Sequence, residues 1–296
     1  MILKPDGSNS SMSPIEPIGS YARAGFGFLT KHGKESVVAP LFREELDAGV
    51  VLVDSFDTDS LGTFTRDVPR AGSQLDAARR KANLAAELTG LPRGLGSEGS
   101  FIPGAFGMWC SNLEVVMLVD RTQGIEITGV ACEAGHQVAD HFEDYGQLES
   151  FAKSALFPSH GLVLRPNDQN NPRIIKDCAD FECLRSAFEQ CADLSPSGRV
   201  FVESDLRAHR NPTRMQTIEK ACRNLLQRMK TLCPDCGRPG FGLAKKVHGL
   251  PCAWCGTPSN GVLGEEFKCP SCCFTELRNL NPAARADPGL CPSCNP

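Results

Sequence analysis

Short apolar runs alternate with longer segments of helical periodicity along most of the chain. Gly25–Leu29 and Val50–Val53 have strand length, and the second is a continuous run that predicts a strand covered on both faces of a sheet. Gly72–Leu88 has a helical pattern and ends at Gly90, a residue well suited to cap a helix. Other helical patterns lie near residues 144–155, 178–192 and 212–230, and other strand patterns lie near 161–165 and 199–202.

The order of these elements predicts a fold class and three parts of the chain. Val115–Asp120 and Ile125–Val130 flank Gln123-Gly124, a dipeptide typical of a hairpin turn. Strands and helices in alternation predict an α/β fold with a mixed central sheet flanked by helices. Pro and Gly become frequent near Thr231. We therefore expect a disordered leader at residues 1–20, an α/β domain at 21–230 and a small module at 231–296.

Four Cys-x-x-Cys pairs occupy the last quarter of the chain. They are Cys233/Cys236, Cys252/Cys255, Cys269/Cys272 and Cys291/Cys294. Each such turn delivers two thiolates to one metal, so eight cysteines predict two structural zinc ions in a double zinc-ribbon-like module. The simplest assignment is sequential, with the first two pairs on one ion and the last two on the other. An interleaved assignment stays open, and Cys273 has no assigned role.

Composition favours metal binding by these cysteines over disulfides. The chain has 15 cysteines, an odd number, and residues 1–20 are polar without the apolar core of a secretion signal. A net charge of −4 provides no global basic field for nucleic acid, and no apolar run is long enough to span a bilayer. We expect a cytoplasmic protein without a membrane partner.

The segment Thr30–Glu35 joins a predicted strand to a predicted helix. Backbone N–H groups at a helix N-terminus bind phosphate, and Lys31 and Lys34 add positive charge. Thr30, His32 and Lys34 are therefore candidate contacts to a phosphate group. The alternative interpretation is a solvated turn at the start of a charged helix.

The segment Ser97–Phe101 lies among several glycines, which predicts a loop where the backbone approaches a ligand closely. Glu98 would then offer a carboxylate to a hard cation such as Mg²⁺, which prefers oxygen ligands. A flexible surface turn is the alternative.

The segment 205–214 is basic and leads into a helix that Asn211 or Thr213 can cap, with Pro212 at an early helical position. Its basic residues are Arg207, His209, Arg210 and Arg214. Arginine suits bidentate phosphate recognition, so this segment is a second candidate anion site. A solvated charged face is the alternative.

Several motifs resemble those of known families. Lys31–Glu35, Gly62–Arg66, Ala78–Ala82 and Ser97–Phe101 together resemble an uncharacterised bacterial family with a domain of unknown function. This resemblance covers roughly residues 22–230 and implies no activity.

The order of the motifs is also similar to that of the inosine-triphosphate-pyrophosphatase-like superfamily of house-cleaning nucleotide pyrophosphatases. The similar segments are Thr30 to Lys34, Thr63-Phe64, Lys81-Ala82, Thr89–Pro92, Ser97 to Ser100 and Ala208–Arg210. The resemblance implies Lys34 at phosphate, Glu98 near Mg²⁺, and His209 with Arg210 near base or phosphate. The chain departs from that family in four ways: His32 stands where the family has Asn, Lys34 comes one position early, the Thr-Phe to Lys-Ala interval is longer, and Ser-Glu-Gly replaces the paired acids.

Two hypotheses of different class follow. The first is a Mg²⁺-dependent nucleotide-phosphate hydrolase or nucleotide-binding protein, in which Glu98 and Lys34 are catalytic and the zinc module is structural. The second is an adaptor without catalysis, in which the zinc module binds nucleic acid or protein through Lys245, Lys246 and Trp254.

Overall fold

A computed structural model describes residues 21–54, 72–104, 110–281 and 283–296. The expected leader at residues 1–20 and the motif Gly62–Arg66 lie outside the described residues. Among the described residues, none of the helices combines the length and the apolar character that crossing a bilayer requires.

The described residues contain five α-helices and eleven strands. The helices are α1 (Glu35–Leu46), α2 (Gln74–Thr89), α3 (Tyr145–Ser154), α4 (Phe181–Asp193) and α5 (Pro212–Lys230). The first eight strands are β1 (Gly25–Leu29), β2 (Gly49–Val53), β3 (Arg93–Pro103), β4 (Cys110–Asp120), β5 (Ile125–Gly135), β6 (Ala139–Phe142), β7 (Leu162–Pro166) and β8 (Val200–Ser204). The last three are β9 (Gly242–His248), β10 (Val262–Lys268) and β11 (Thr275–Asn279).

A five-stranded sheet in the order β2-β1-β3-β4-β5 forms the centre of the α/β part. Strand β1 pairs in parallel with both β2 and β3, whereas β3, β4 and β5 are antiparallel. Helices α1 and α5 cover one face through a core that includes Phe28, Leu95 and Ile218. Helix α2 packs on the other face against Val115 and Met117. The predicted mixed sheet flanked by helices is confirmed.

Glycines allow α2 to approach the sheet closely. A Cβ atom at Gly94 or Gly96 would overlap the carbonyl oxygen of Ala82 or Ala78. Ser73 begins the helix with a capping box, since its hydroxyl accepts from the Asp76 N–H and the Asp76 carboxylate accepts from the Ser73 N–H. The close packing and the cap together fix the position of α2 on the sheet.

The route of the chain places a topological switch point at β1. Helix α1 leads from β1 to β2 on one side of β1, and α2 leads from β2 to β3 on its other side, over the opposite face. In open α/β sheets, ligands bind beyond the carboxyl end of the strand where the winding reverses. That end of β1 is followed by Thr30–Lys34.

A second, smaller unit interrupts the chain between β5 and α5. Strands β6, β8 and β7 form an antiparallel sheet in that order. Its separate core includes Leu148 of α3, Leu184 of α4 and Val202 of β8. Strands β11, β10 and β9 form a third sheet in the C-terminal module.

Two expectations about local structure are wrong. Ser97–Phe101 is not a loop: it lies within β3 and pairs with β4, and Gly99 leaves space for packing neighbours. Strand β2 is not covered on both faces, because it lies at the sheet edge and Val51 and Leu52 are 49% and 41% exposed. An edge position reduces the cover that neighbouring elements give to a strand.

Candidate functional site

Lys34 lies at the start of α1 and turns its side chain into the protein. Its side chain is only 6% exposed, and Nζ donates a hydrogen bond to Ser97 Oγ on β3 at 3.2 Å. Burial, and then the nearby Arg214 guanidinium, lower the pKa of Lys34 from 10.5 to about 7, while the Glu114 carboxylate opposes the change. Lys34 is thus a buried amine whose charge changes near neutral pH.

The first buried ion pair near Lys34 joins β4 to α5. Arg214 Nε donates to Glu114 Oε1 at 2.7 Å, and the two side chains are 2% and 0% exposed. Arg214 Nη1 also donates to the carbonyl oxygen of Leu206. A Cβ atom at Gly99 would overlap both members of the pair, so glycine at this position of β3 leaves them the space they need.

The second ion pair joins β3 to α2. Lys81 Nζ lies 2.6 Å from Glu98 Oε2, and both side chains are largely buried. Side chains alternate along a strand, so Glu98 faces α2 while Ser97 faces α1 and α5. The last paired residue of β1 is opposite Gly96, and Glu98 lies beyond it. From there Glu98 and Lys81 both act on the charge of Lys34.

Buried polar atoms without partners lie next to this group. Among the described residues, Glu114 Oε2 and both side-chain amide atoms of Asn112 have no hydrogen-bond partner, and Asn112 is 1% exposed. Asn112 and Glu114 are two residues apart on β4 and project from the same face. Because an unpaired buried polar group costs about 1–3 kcal/mol, these atoms are suited to bind a polar ligand atom or water.

The segment 205–214 divides between two environments. Arg207 donates to both carboxylate oxygens of Asp205 and to Asp177 Oδ1 at 2.6 Å. Arg210 donates to the carbonyl oxygen of Cys178, in the smaller unit. These two arginines are therefore engaged away from Lys34. Only Arg214 of the predicted arginines reaches the group around Lys34.

His209 brings the basic segment to the loop after β1. Its ring stacks on that of His32 with centroids 5.0 Å apart and an interplanar angle of 17°. Burial, and then the Arg207 charge, lower the pKa of His209. The two segments border a cavity of about 520 Å³ whose walls include Gly33, Glu35, Ser36, His209, Pro212 and Met215. The N-terminal ends of α1 and α5 both meet this cavity.

Of the two residues predicted to cap α5, Asn211 is the one that does so. Asn211 Oδ1 accepts from the Arg214 N–H at 2.9 Å, with Pro212 in the first turn. Thr213 instead places its hydroxyl 2.8 Å from His160 Nε2. Thr30 is 7% exposed and its hydroxyl donates to the carbonyl oxygen of Lys31.

Sequence reasoning missed Glu114 and Asn112. The available signal was their position in Asn112-Leu113-Glu114, directly before an apolar run predicted as a strand. A charged residue at a core-facing position of a strand is rarely buried unless it is paired. Its partner, 100 residues away in sequence, was not predictable from this pattern.

The eight cysteines form two groups of four that could each hold a metal ion. The first is Cys233, Cys236, Cys269 and Cys272, and the second is Cys252, Cys255, Cys291 and Cys294. Within each group the sulfur atoms lie within 4.8 Å of one another. The pairing is interleaved, so the sequential assignment is wrong. Among the described residues, these are the clusters of three or more metal-binding side chains.

The β9–β10 hairpin explains the interleaving. Gly242 at the start of β9 is opposite Lys268 at the end of β10. The pair before β9 and the pair after β10 therefore meet at one end of the hairpin. The pair between these strands lies at the other end, where it joins the last pair of the chain.

The two cysteine groups have different surroundings. Near the first, Phe241 is 2% exposed and Gly240 N–H donates to the Arg228 carbonyl oxygen of α5 at 3.0 Å. Pro270 and Ile127 of β5 both approach Gly240. The second group lies at the far end of the hairpin, where Trp254 is 79% exposed. The first group is thus attached to the α/β part and the second is peripheral.

Comparison with known proteins identifies a family. A family model described as domain of unknown function (DUF6671) matches residues 81–296. This match confirms the expected kind of family, but it begins later than the resemblance at roughly 22–230 and includes the cysteine-rich module. No curated protein and no solved structure matches the chain.

Proposed function

The chain belongs to the family described as domain of unknown function (DUF6671), and from its site we propose a Mg²⁺-dependent hydrolase of nucleotide phosphates, or a protein that binds them. One observation carries the proposal: buried Lys34 lies at the carboxyl end of β1, where the winding of the sheet reverses. The segments Thr30–Lys34 and 209–214, both nominated for phosphate, meet there.

The residues at the start of α1 and in the segment 205–214 have separate roles in this proposal. The first N–H groups of α1 and the amine of Lys34 bind phosphate oxygens. His209 lies in the wall of the cavity of about 520 Å³, and the His32 ring stacks on it. Arg214 neutralises charge that develops on the phosphate. Arg207 and Arg210 hold the loop in place through Asp177 and the smaller unit, without touching phosphate.

The carboxylates fit Mg²⁺ to different degrees. Glu114 has an unpartnered buried oxygen, which is the kind of ligand that Mg²⁺ takes. Glu98 is paired with Lys81 and would exchange that partner for the ion. Bound Mg²⁺ would supply Lewis acidity and an activated water. Because Glu98 and Glu114 project from opposite faces of the sheet, they would not share one ion: Glu98 would hold it, and Lys34 would neutralise the phosphate.

Turnover of a nucleoside-triphosphate panel with Mg²⁺ tests this activity. We expect release of phosphate or pyrophosphate from at least one substrate, and a loss of about 100-fold or more in kcat/KM for Lys34→Met and for Glu98→Gln. Lys153→Met, an exposed lysine in the smaller unit, is the control and should match the wild type. Absence of turnover throughout, or unchanged activity in Glu98→Gln, would overturn the hydrolase.

The two cysteine groups are proposed to hold structural Zn²⁺. Four thiolates in a tetrahedral arrangement are a closed donor set typical of zinc, with no position left for a catalytic water. Free thiols persist in reducing compartments, which supports a cytoplasmic location. Elemental analysis of the purified chain should give two zinc ions, and Cys236→Ser should remove one.

An adaptor function is the second candidate, supported by the 79% exposure of Trp254. Lys245 and Lys246 are exposed on β9 of the same module, and an exposed aromatic ring with nearby cations suits single-stranded nucleic acid. Fluorescence anisotropy with single-stranded and duplex DNA tests this candidate. Salt-sensitive binding that Trp254→Ala weakens would support it, and no binding at low salt would overturn nucleic acid as the partner.

A further inference from the structure

Charges around Lys34 balance when its amine is neutral. Among the described residues, Lys81 of α2 and Arg214 of α5 supply two positive charges, while Glu98 of β3 and Glu114 of β4 supply two negative charges. Each carboxylate is already in contact with one of these cations. A charged Lys34 would therefore add a third buried positive charge without a carboxylate to pair with it.

The immediate contacts of Lys34 fit a neutral amine. In the described part of the chain, its Nζ has one hydrogen-bond partner, the hydroxyl of Ser97. An ammonium group has three N–H donors, and it is strongly hydrated in water. At 6% exposure, Lys34 receives little of that hydration. The imidazole rings of His32 and His209 stack beside the preceding residue, Gly33, and Lys31 and Glu35 are further titratable groups of this segment.

We propose that Lys34 is the proton-accepting residue of this site: its amine is neutral in the empty protein, and it takes up one proton from solvent when an oxyanion binds in the site. The proposal rests on the proposed function only for the kind of ligand, a phosphate-bearing molecule. It assigns Lys34 a proton-transfer role in place of a permanent positive charge.

An entering oxyanion reverses the charge balance. Opposite charge within about 4–6 Å favours the protonated form of an amine, so the bound anion raises the pKa of Lys34 from about 7. The amine of Lys34 is then positively charged only when an anion is bound. Neutral ligands of the same shape cause no proton uptake, so the site favours oxyanions.

Proton uptake makes anion affinity depend on pH. Below about pH 7 the amine is charged in both the free and the bound protein, and affinity is insensitive to this group. Above about pH 7 each bound anion must also bind a proton, so affinity falls about tenfold per pH unit until the pKa of the bound state is passed. A permanently charged lysine predicts a constant affinity over the same range.

The first experiment measures Lys34 in the free full-length protein, with Zn²⁺ at the cysteine groups and without added Mg²⁺. Carbon-13-labelled lysine gives an NMR signal for each Cε atom, and the signal lost in Lys34→Met identifies Lys34. We expect this signal to titrate near pH 7, well below the ordinary range for lysine, near about 10.4. Titration of Lys34 in that ordinary range would overturn the proposal without affecting the proposed function.

The second experiment measures binding of sulfate, a tetrahedral dianion that does not itself titrate between pH 6 and 9. We expect the Kd of the wild type to rise about tenfold per pH unit above pH 7, with Lys34 remaining charged at pH 8 in the NMR spectrum of the complex. Lys153→Met should give the same profile.

The outcomes separate the two proposals. Sulfate binding with a constant Kd would overturn proton uptake and leave the phosphate site standing. No binding of sulfate or pyrophosphate at any pH would overturn both the phosphate site and the proton-linked binding, even if the free Lys34 amine titrates near pH 7.

Discussion

Removing the guanidinium of Arg214 should destabilise the protein by much more than removing an exposed arginine from the same helix. In Arg214→Met, Glu114 keeps its charge at 0% exposure and loses the Nε–H donor that lies 2.7 Å from Oε1. Its second oxygen already has no partner. The buried carboxylate then loses its directly paired counter-charge and the hydrogen bond from it.

The size of the loss follows from this geometry. Breaking a buried pair by removing one partner costs about 3–5 kcal/mol, because the remaining charge is uncompensated. Replacing both partners by apolar residues of similar size removes that penalty. We therefore expect Glu114→Leu combined with Arg214→Met to be more stable than Arg214→Met alone by about 2 kcal/mol or more.

Urea unfolding followed by circular dichroism is the assay, with hydrogen exchange of β4 as a local readout. For a slope of about 3 kcal/mol per molar urea, the expected loss lowers the midpoint by about 1 M or more. Arg223→Met is the matched control: Arg223 lies on the exposed side of α5 and pairs with Glu219 four residues earlier. It should cost no more than about 0.5 kcal/mol.

Two results would refute this reasoning. One is equal destabilisation by Arg214→Met and Arg223→Met, which would show that the buried pair contributes no more than a surface pair. The other is an additive double variant, in which the effects of Glu114→Leu and Arg214→Met simply sum.

Three further predictions concern Lys34, the packing of α2 and the cysteine groups. Between about pH 7 and 10.5 the unfolded chain binds a proton to Lys34 and the folded chain does not. The free energy of unfolding of the wild type should therefore rise relative to that of Lys34→Met by about 2–3 kcal/mol from pH 7 to 9. Parallel pH profiles of the two proteins in urea unfolding would contradict this. Gly96→Ala places a Cβ atom against the backbone of α2 and should lower Tm by several degrees, whereas Gly49→Ala, with open space at the start of β2, should cost less; equal losses in calorimetry would contradict close packing. Cys236→Ser, in the group attached to α5, should speed hydrogen exchange at the end of α5, whereas Cys255→Ser should not; the reverse order would contradict the assigned attachment.

Much of the α/β fold was predictable because its signals are local. The apolar run Gly25–Leu29 is β1 with the same bounds, and Asn211-Pro212 begins α5 as capping chemistry predicts. Gln123-Gly124 lies in the turn between β4 and β5. In these cases the residues that determine the structure are neighbours in sequence.

The candidate site was predictable only in part. Lys34, His32 and His209 were nominated, and their segments meet at one place. Arg207 and Arg210 were nominated with them but are engaged by Asp177, Asp205 and the Cys178 carbonyl. Charge and residue type identify groups that can bind an anion, but they do not show which groups another part of the chain has already neutralised.

What the sequence determined by itself is a set of elements and donor groups: an alternation of strands and helices, a lysine after the first strand, and eight cysteines in four pairs. Tertiary structure decided which of these meet. Ser97–Phe101 became a strand because β4 pairs with it, and Gly99 makes room for the Glu114–Arg214 pair. The cysteine pairs became interleaved because β9 and β10 are antiparallel. The physical reason is common to both: periodicity and capping act over a few neighbouring residues, whereas burial of a charge and pairing of strands depend on residues far apart in the chain.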